Sequence, residues 1–147
     1  MLIAEVINTI PEGLELLPWS RKEVDENSTP EGRAHLARNS DRIWVVRNGQ
    51  EQDLLIAGIY RPALIGQPPE LYLLVCEAFK RNLRRNLLET RELVKSLLLD
   101  FPHVIVQIDA HFPVGQKFAE FMGFVSQRRY EVHKGREYII YEVRYGV

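Results

Sequence analysis

Alternating hydrophobic and polar positions divide the central part of the chain into two strands joined by a turn. The stretches RIWVVRNGQ (42–50) and DLLIAGIYRPALI (53–65) are rich in β-branched and aromatic residues, which is typical of strands. The Asn-Gly pair at 48–49 is a strong hairpin signal. A bulge is expected in the second strand near Gly58 or Pro62. Together the two stretches predict an antiparallel hairpin.

The N-terminal part of the chain shows weaker patterns. Residues 2–7 are typical of a short strand or helix, and a polar, helix-prone segment follows to about Asn27. The sequence STPEG (28–32) is a helix start, because Ser or Thr can cap the helix and proline suits its first turn. This helix is predicted to run through Arg38.

The middle of the chain predicts a strand, a helix and a second strand. ELYLLVCEAF (70–79) is hydrophobic on both faces, which indicates a central strand of a sheet. From 82 to 100 the hydrophobic period changes to that of an amphipathic helix. HVIVQID (103–109) is another buried strand. A strand–helix–strand unit of this kind requires a parallel pair.

The C-terminal part predicts a short helix and a second hairpin. Pro113 suits the first turn of a helix, and Gly123 ends it. The stretches 124–132 and 136–145 alternate in hydrophobicity around a loop at 133–135. The whole chain, residues 1–147, is therefore predicted to form a single mixed α/β domain, with a twisted mixed sheet, helices on both faces and a C-terminal β-hairpin.

Composition and cysteine content limit the cellular setting. The chain has 147 residues, and its apolar runs are too short to cross a bilayer, so no membrane contact is expected. The N-terminal stretch has no basic region before its apolar part and makes a poor signal peptide. Its lone cysteine, Cys76, cannot form an internal disulfide, which favours a reducing cytoplasm.

Charge is balanced overall but is unevenly distributed. The net charge of −1 gives no general attraction to nucleic acid. Residues 1–31 carry seven acids against two bases, and residues 80–95 carry six bases against two acids. Two interpretations follow from this asymmetry: the two stretches neutralise each other in the fold, or the basic one binds a polyanion.

The order of elements and one motif resemble a known superfamily. FAEFMGF (118–124) resembles the aromatic-rich helix and Gly-Phe that precede the last two strands of GNAT N-acetyltransferases. Residues 71–124 are most similar to the degenerate GNAT-like proteins of tailed phages, the family called internal virion protein A. Asp109-Ala110 and Met122-Gly123-Phe124 stand where those proteins carry their shared motifs.

The resemblance implies an acyl-CoA site at the end of the central strand. In that superfamily free amides of a splayed strand hold the pantetheine, and a glycine-rich turn cradles the pyrophosphate. Here Leu83 and Arg85 stand where the glycines would be, and their side chains obstruct the cradle. The candidate acetyl-CoA-binding residues are Val75, Phe79, Lys80, Arg81, Arg84 and Arg85.

The four bases of that set, Lys80, Arg81, Arg84 and Arg85, form what we call the basic turn, and it has more than one interpretation. Its cations could hold phosphates with their side chains. They could equally form a solvated face, or contact nucleic acid or a protein partner. Four bases at the start of a helix oppose the helix dipole, so they are not there for helix stability.

The proton-transfer groups implied by the resemblance are incomplete. Ala119 stands where the superfamily has a tyrosine that protonates the leaving thiolate, and Phe112 stands where it has an asparagine. The candidate bases are Glu77, Asp109 and His111, near the ends of two buried strands. The alternative for Glu77 is a solvent-exposed strand end or a pair with Arg81, and for Asp109 a loop or helix cap.

Other kinds of site find little support in the residue spacing. The four histidines are scattered, so no metal site is predicted. Cys76, in the middle of an apolar run, is interpreted as a small buried hydrophobe rather than a nucleophile. Tyrosines at 130, 138, 141 and 145 are interpreted as sheet packing.

Two hypotheses from different classes follow. The favoured one is a non-catalytic, phage-type protein with the GNAT fold and a degenerate acyl-CoA site. It would serve in the virion, in assembly or in host interaction through protein partners, and it would be located in the host cytoplasm or the virion. The alternative is an acetyl-CoA-dependent N-acyltransferase acting on an amine. Nucleic-acid binding through the basic stretch and Arg128-Arg129 is a further possibility. The strand Glu137–Tyr145 would allow a homodimer by pairing across a two-fold axis.

Overall fold

A computed structural model of the chain describes residues 1–17, 30–61, 65–133 and 135–144. These residues group into two compact units. The first comprises residues 1–61 and 72–90, and the second comprises residues 62–71 and 91–147. The boundary between them falls within one strand, after Leu71, and again within the longest helix, after Thr90.

The described residues contain seven strands and three α-helices. The strands are β1 (Ile3–Ile7), β2 (Ser40–Arg47), β3 (Asp53–Tyr60), β4 (Glu70–Val75), β5 (His103–Asp109), β6 (Val125–His133) and β7 (Arg136–Arg144). The α-helices are α1 (Pro30–Arg38), α2 (Leu83–Leu97) and α3 (Pro113–Phe121), and short 3₁₀ helices span Glu77–Asn82 and Leu98–Asp100. The strands are hydrogen-bonded in the order β1-β2-β3-β4-β5-β7-β6. This combination of parallel and antiparallel pairs with helices confirms the predicted mixed α/β class.

The first unit is built on the antiparallel strands β1, β2 and β3. The sequence allowed a strand or a helix over residues 2–7, and the structure has a strand there, at Ile3–Ile7. The predicted hairpin between β2 and β3 is present, but its turn differs. The Asn48 side chain accepts hydrogen bonds from the backbone N–H groups of Gln50 and Gln52, and Glu51 takes a positive φ of 60°. A five-residue loop closed by this asparagine replaces the two-residue turn.

The irregularities of the first hairpin lie in both strands, with an extra residue at Asp41 of β2 and another at Leu54 of β3, whereas Gly58 pairs regularly with Ile43. Register shifts lie between Ser40 and Arg42 and between Val46 and Arg47. Gly58 has a different role, because a Cβ atom there would lie 2.0 Å from Cζ of Tyr72. The prediction of a bulge at Gly58 is wrong, since this glycine makes room for a tyrosine ring. The alternative position, Pro62, lies outside the described residues.

The segment between β1 and the first helix is not helical where it is described. Residues 8–17 form bends and a turn, and they end in an isolated antiparallel bridge at Leu16. The rest of the predicted polar helix, 18–27, lies outside the described residues, as do the expected caps Ser28 and Thr29. Helix α1 begins at Pro30 and ends at Arg38, as predicted.

The second unit joins the start of β4 to β5, β7 and β6. Glu70 of β4 is paired in parallel with Ile105 of β5, which confirms the predicted parallel pair. The helix α3 starts with proline and is followed by Gly123 at a φ of 96°, as predicted. Strand β5 has the bounds expected from the sequence, and the final hairpin connects β6 to β7.

The strand β7 is hydrogen-bonded on both sides. It pairs antiparallel with β5 along one edge and with β6 along the other. The described part of β7 is therefore an inner strand, so the edge position assumed for it is wrong; the homodimer itself stays a prediction. The outer strand at this end of the order is β6.

No helix among the described residues is long and apolar enough to cross a membrane.

Candidate functional site at the end of β4

Strand β4 is shorter than predicted. It was expected to continue to residue 79, but it ends at Val75 and a 3₁₀ helix begins at Glu77. Between them, Cys76 keeps an extended conformation, with φ −86° and ψ 158°. The backbone groups at this point are those that the resemblance assigns to an acyl-CoA.

The backbone groups at the end of β4 are hydrogen-bonded to the chain's own N-terminal segment. The N–H of Leu17 donates to the carbonyl oxygen of Val75 at 2.8 Å, and the N–H of Glu77 donates to that of Glu15 at 2.7 Å. Leu16 and Cys76 stand opposite each other as an antiparallel bridge. Residues Glu15–Leu17 thus form a short strand against β4, which we call the strap.

The strap lies on the edge of β4 that faces away from β3. The N–H of Cys76 donates to the carbonyl oxygen of Leu54 in β3 at 2.9 Å. Successive residues of a strand direct their backbone groups to opposite edges. The groups of Val75 and Glu77 that bind the strap therefore belong to the other edge, the one not used by β3.

The 3₁₀ helix after Cys76 forms a closed turn into α2. Phe79 is buried, and its N–H donates to the carbonyl oxygen of Cys76 at 3.1 Å. The side chain of Asn86, which is only 6% exposed, donates from Nδ2 to the carbonyl oxygen of Phe79 at 2.8 Å. Leu83 continues in right-handed helical geometry, with φ −52° and ψ −51°. A side chain thus stabilises a turn that glycines form in the superfamily.

The basic residues of this turn are exposed, and most of them lack acidic partners. Lys80, Arg81, Arg84 and Arg85 all lie at the surface. Arg85 has its Nε 3.7 Å from Oε2 of Glu89, an exposed pair of little energetic weight. Within the described ranges, no carboxylate forms an ion pair with the other three. Their positive charges stand at the positive end of the α2 dipole, where an anion would be stabilised.

The described acids of the N-terminal stretch form no ion pair with these cations. Glu5 pairs with Arg47 at 2.6 Å, and Glu12 pairs with Arg33 at 3.6 Å. The link from this stretch to α2 is the N-terminal amine of Met1, 3.6 Å from Glu89. For the described residues, mutual neutralisation of the two stretches is therefore not observed; acids at 23, 25 and 26 lie outside them.

Glu77 takes part in this site through its backbone rather than its carboxylate. Its N–H bonds the strap, and its side chain is half-buried. No ion pair between Glu77 and Arg81 occurs in the part of the chain that the structure describes, so the expected pairing is not found. Cys76 is buried, and burial raises the pKa of its thiol to about 11, with the Asp53 carboxylate adding to the shift. The thiol is protonated at neutral pH, in agreement with its interpretation as a buried hydrophobe.

Asp109 and His111, in the second unit, form a local turn. The carboxylate Oδ1 of Asp109 accepts a hydrogen bond from the backbone N–H of His111 at 2.8 Å. The carbonyl oxygen of Asp109 accepts from the N–H of Phe112 at 3.0 Å, and the Gln116 side chain bonds that of Ala110 at 3.1 Å. These contacts support the interpretation of Asp109 as a loop residue; it does not cap the next helix, whose N-cap is Phe112. The His111 side chain is exposed.

The positions that should carry a proton donor hold hydrocarbon side chains. Ala119 is buried in α3 and has no hydroxyl group. The ring of Phe112 packs so closely over Gly115 that a Cβ atom there would lie 2.6 Å from it. On the final hairpin Tyr141 is buried, and this burial raises the pKa of its phenol, whereas Tyr130 is exposed. Tyr145 lies outside the described residues.

Within the described ranges, no group of three or more histidine, cysteine, aspartate or glutamate side chains is arranged to hold a metal ion.

The structural requirements of acyl-CoA are not met by the residues at the end of β4. The edge that would present free amides is bonded to the strap, and the turn into α2 is closed by Asn86 and carries Leu83 in place of a glycine. The four surface cations of this turn are the feature that suits a phosphate group. The backbone geometry therefore argues against acyl-CoA binding at this site, whereas the surface charge favours a phosphate group.

Two elements of this site have no clear signal in the sequence. The strap comes from a segment predicted as helical, and its contacts with Val75 and Glu77 join residues about sixty positions apart. Asn86 looks like an ordinary polar residue of an amphipathic helix. The sequence carries one partial signal of the strap. Ile10, Leu16 and Leu17 are apolar residues in a polar stretch, which indicates that they pack against the core.

Comparison with solved structures shows the fold of this chain. An IAA acetyltransferase from Bacillus cereus matches with a TM-score of 0.65 and 12% identity over 98% of this chain and 99% of that chain. Mutant forms of the spermidine/spermine N-acetyltransferase SpeG from Vibrio cholerae match with a TM-score of 0.62 and 13% identity over 98% and 95%. A GNAT family acetyltransferase from Elizabethkingia anophelis with acetyl-CoA bound matches with a TM-score of 0.59 and 9% identity over 97% of each chain.

No family model matches the sequence, and no curated protein matches it significantly. The resemblance to internal virion proteins of phages is thus not shown by these comparisons, and it stays a prediction. The structural similarity spans nearly the whole chain at low identity, so it establishes architecture rather than activity. The chain has the fold of the GNAT acetyltransferases.

Proposed function

We propose that this protein is a non-catalytic GNAT-fold protein that acts through contacts with other macromolecules. The observation that carries the proposal is the pairing of the strap with β4. Leu17 and Glu15 hydrogen-bond the carbonyl of Val75 and the N–H of Glu77, so a pantetheine chain would have to displace the strap to reach this edge. A chain that keeps this fold with that edge closed has a use for the scaffold other than acyl transfer.

The proton-transfer groups support the same conclusion. Ala119 and Phe112 carry no group that could protonate a leaving thiolate. The Asp109 carboxylate is held by the N–H of His111, in a local turn. A general base has to reach the amine that it deprotonates, and a carboxylate already engaged in a turn is poorly suited to that. Protein partners in a virion, in assembly or in a host cell are the contacts that the phage resemblance implies.

A second candidate function is an acetyl-CoA-dependent N-acyltransferase acting on an amine. It is favoured by the shared fold and by the exposed cations Lys80, Arg81 and Arg84, which have no acidic partner among the described residues. In this candidate the side chains of the basic turn would bind the phosphates that the glycine-rich backbone binds in the superfamily. Acetyl-CoA would supply the activated acyl group, and the candidate bases are Glu77, Asp109 and His111.

A calorimetric titration with acetyl-CoA separates the two candidates. The non-catalytic proposal expects no binding heat up to millimolar ligand, for the native protein and for Arg84→Glu alike. Micromolar binding that is lost in Arg84→Glu would overturn it in favour of the acyltransferase. Arg129→Glu is the matched control, since Arg129 is an equally exposed arginine on β6, away from the basic turn in sequence.

Catalysis is tested with the same preparations. Release of free CoA from acetyl-CoA in the presence of a panel of primary amines, including polyamines and lysine-containing peptides, should stay at the rate of the protein-free control. Amine-dependent release above that rate would establish the second candidate.

A further inference from the structure

The disagreement between the fold and the acyl-CoA site has a specific structural cause. We propose that the strap, Glu15–Leu17, is a built-in strand that closes the free edge of β4 to any extended ligand, whether pantetheine or peptide. This inference rests on the proposed function, because it names the element that makes the scaffold non-catalytic. It has its own test, which does not depend on enzymatic activity.

The geometry of the strap is that of a strand added to an edge. Its two hydrogen bonds flank the Leu16–Cys76 pair, which matches the antiparallel pattern in which the central residues are not bonded to each other. Peptide ligands that add a strand to a sheet use the same main-chain groups. The strap therefore occupies the positions that an extended ligand would need.

The strap is fixed by its side chains as well as by its backbone. Leu17 is 1% exposed and Leu16 is 6% exposed. Leu16 belongs to one hydrophobic cluster with Ile10, Leu74 and Cys76. Two buried leucines contribute more than two hydrogen bonds can, so a ligand competing for the edge would also have to expose this apolar surface.

The opposed pair of Leu16 and Cys76 allows a direct test by disulfide formation. Residues that face each other without mutual hydrogen bonds have Cα atoms roughly 4.5 Å apart, within the range of roughly 4.4–6.8 Å that a disulfide requires. Cys76 is the one cysteine of the chain, so a Leu16→Cys variant has a single possible intramolecular partner. With oxidised glutathione as the oxidant, two thiols become one disulfide and glutathione is reduced.

The expected result is near-complete loss of both free thiols in Leu16→Cys, with a monomeric cross-linked product and reversal by dithiothreitol. Leu17→Cys is the matched control, because adjacent strand residues direct their side chains to opposite faces. It should stay uncross-linked under the same conditions. Failure of Leu16→Cys to cross-link, or equal cross-linking of the control, would overturn the inference.

A backbone variant tests closure without a new covalent bond. Glu77→Pro removes the N–H that bonds the strap, and the extended conformation of Cys76 is compatible with a following proline. Glu77→Ala keeps that N–H and removes the side chain. Hydrogen exchange of the peptide containing residues 12–17 should accelerate at least tenfold in Glu77→Pro and remain unchanged in Glu77→Ala. Equal exchange in the two variants would contradict a strap fixed at this edge.

Acetyl-CoA binding to the Leu16→Cys protein separates failure of this inference from failure of the proposed function. If the reduced form binds acetyl-CoA and the cross-linked form does not, the strap closes the edge but opens reversibly, and the non-catalytic proposal fails. If both forms bind equally, closure by the strap is wrong. If neither binds while the cross-link forms efficiently, both stand.

Discussion

The end of β4, in the first unit, and the end of β5, in the second, are completed by different side-chain and backbone contacts. At the end of β4, backbone groups are bonded by the strap from the distant N-terminal segment, and by the side chain of Asn86. At the end of β5, Asp109 bonds the N–H of His111, two residues further along the chain. Both strand ends bond distant parts of the chain, since the N–H of Ala110 donates to the carbonyl oxygen of Glu137 at 2.9 Å. The side-chain contact that completes the end of β5 is local, whereas the contacts that complete the end of β4 come from the strap and from α2.

This difference bears on which of the two could acquire or lose a ligand. A turn closed by a side chain two residues away, such as that of Asp109, does not need a distant segment to form. A strand end held by a distant segment changes when that segment is displaced. Access of a ligand is therefore easier to change at the end of β4, and four experiments probe the packing and charges of the two units.

The largest effect is expected from truncation of the strap. Leu17→Ala removes a fully buried side chain at the end of β4, and should destabilise the protein by about 2–5 kcal/mol. Urea unfolding followed by circular dichroism measures this change. Val125→Ala, at an exposed apolar position of β6, is the control, and should change stability by less than about 0.5 kcal/mol. Comparable losses in the two variants would mean that the strap is not packed as described.

A smaller loss is expected where the backbone of β3 approaches an aromatic ring. In Gly58→Ala the new Cβ atom would overlap the ring of Tyr72, and overpacking of this kind destabilises by about 1–3 kcal/mol. Combining it with Tyr72→Ala should remove most of that loss, and a double-mutant cycle measures the coupling. Purely additive losses would contradict a clash between these two residues.

At the end of β5 the effect should be smaller still, because its turn is local. Asp109→Ala removes the acceptor for the N–H of His111 and should destabilise by about 0.5–1.5 kcal/mol. Asp109→Asn keeps an oxygen acceptor and should retain most of the stability. If Asn destabilises as much as Ala, the carboxylate charge rather than the turn matters, and Asp109 returns as a candidate base.

The smallest effect concerns a charge pair on β5 and β7, and it appears only in acid. The hydrogen bond from His103, at 2.9 Å, lowers the pKa of the Glu142 carboxyl; burial acts in the opposite direction, and Arg144 adds to the lowering. A carboxyl whose pKa is lower in the folded state stabilises the protein above its unfolded pKa of about 4.3, and this contribution disappears as the pH falls through the folded value. Native protein should therefore exceed Glu142→Gln in stability at pH 6, and the difference should shrink as the pH falls below the unfolded pKa of about 4.3.

Urea midpoints measured from pH 3 to pH 7 for the two proteins test this dependence. A difference between native protein and Glu142→Gln that is constant with pH would show that packing, and not ionisation, distinguishes them.

Most of the secondary structure was predictable, because its determinants are local. Period-two alternation predicted β2, β3, β6 and β7, and the proline and glycine that bound α3 act within their own turns. The errors occurred where a distant contact decides the local conformation. The stretch after β1 has a helical composition, but part of it forms the strap because its leucines are buried against β4. Similarly, glycine in a strand predicts a bulge at Gly58, whereas its lack of a side chain makes room for the ring of Tyr72 from β4.

The residues of the candidate site were predictable from the sequence, but the hydrogen bonds and ion pairs that they form were not. The sequence alone determined the absence of glycines at Leu83 and Arg85, the hydrocarbon side chain at Ala119 and the concentration of cations in the basic turn, because residue identity fixes those properties. The tertiary structure decided that the edge of β4 is occupied, that Asn86 closes the turn, and that Glu5 and Glu12 pair with Arg47 and Arg33. Hydrogen bonds and ion pairs between residues far apart in the chain form only when the fold brings them within about 3–4 Å, and no local pattern encodes that distance.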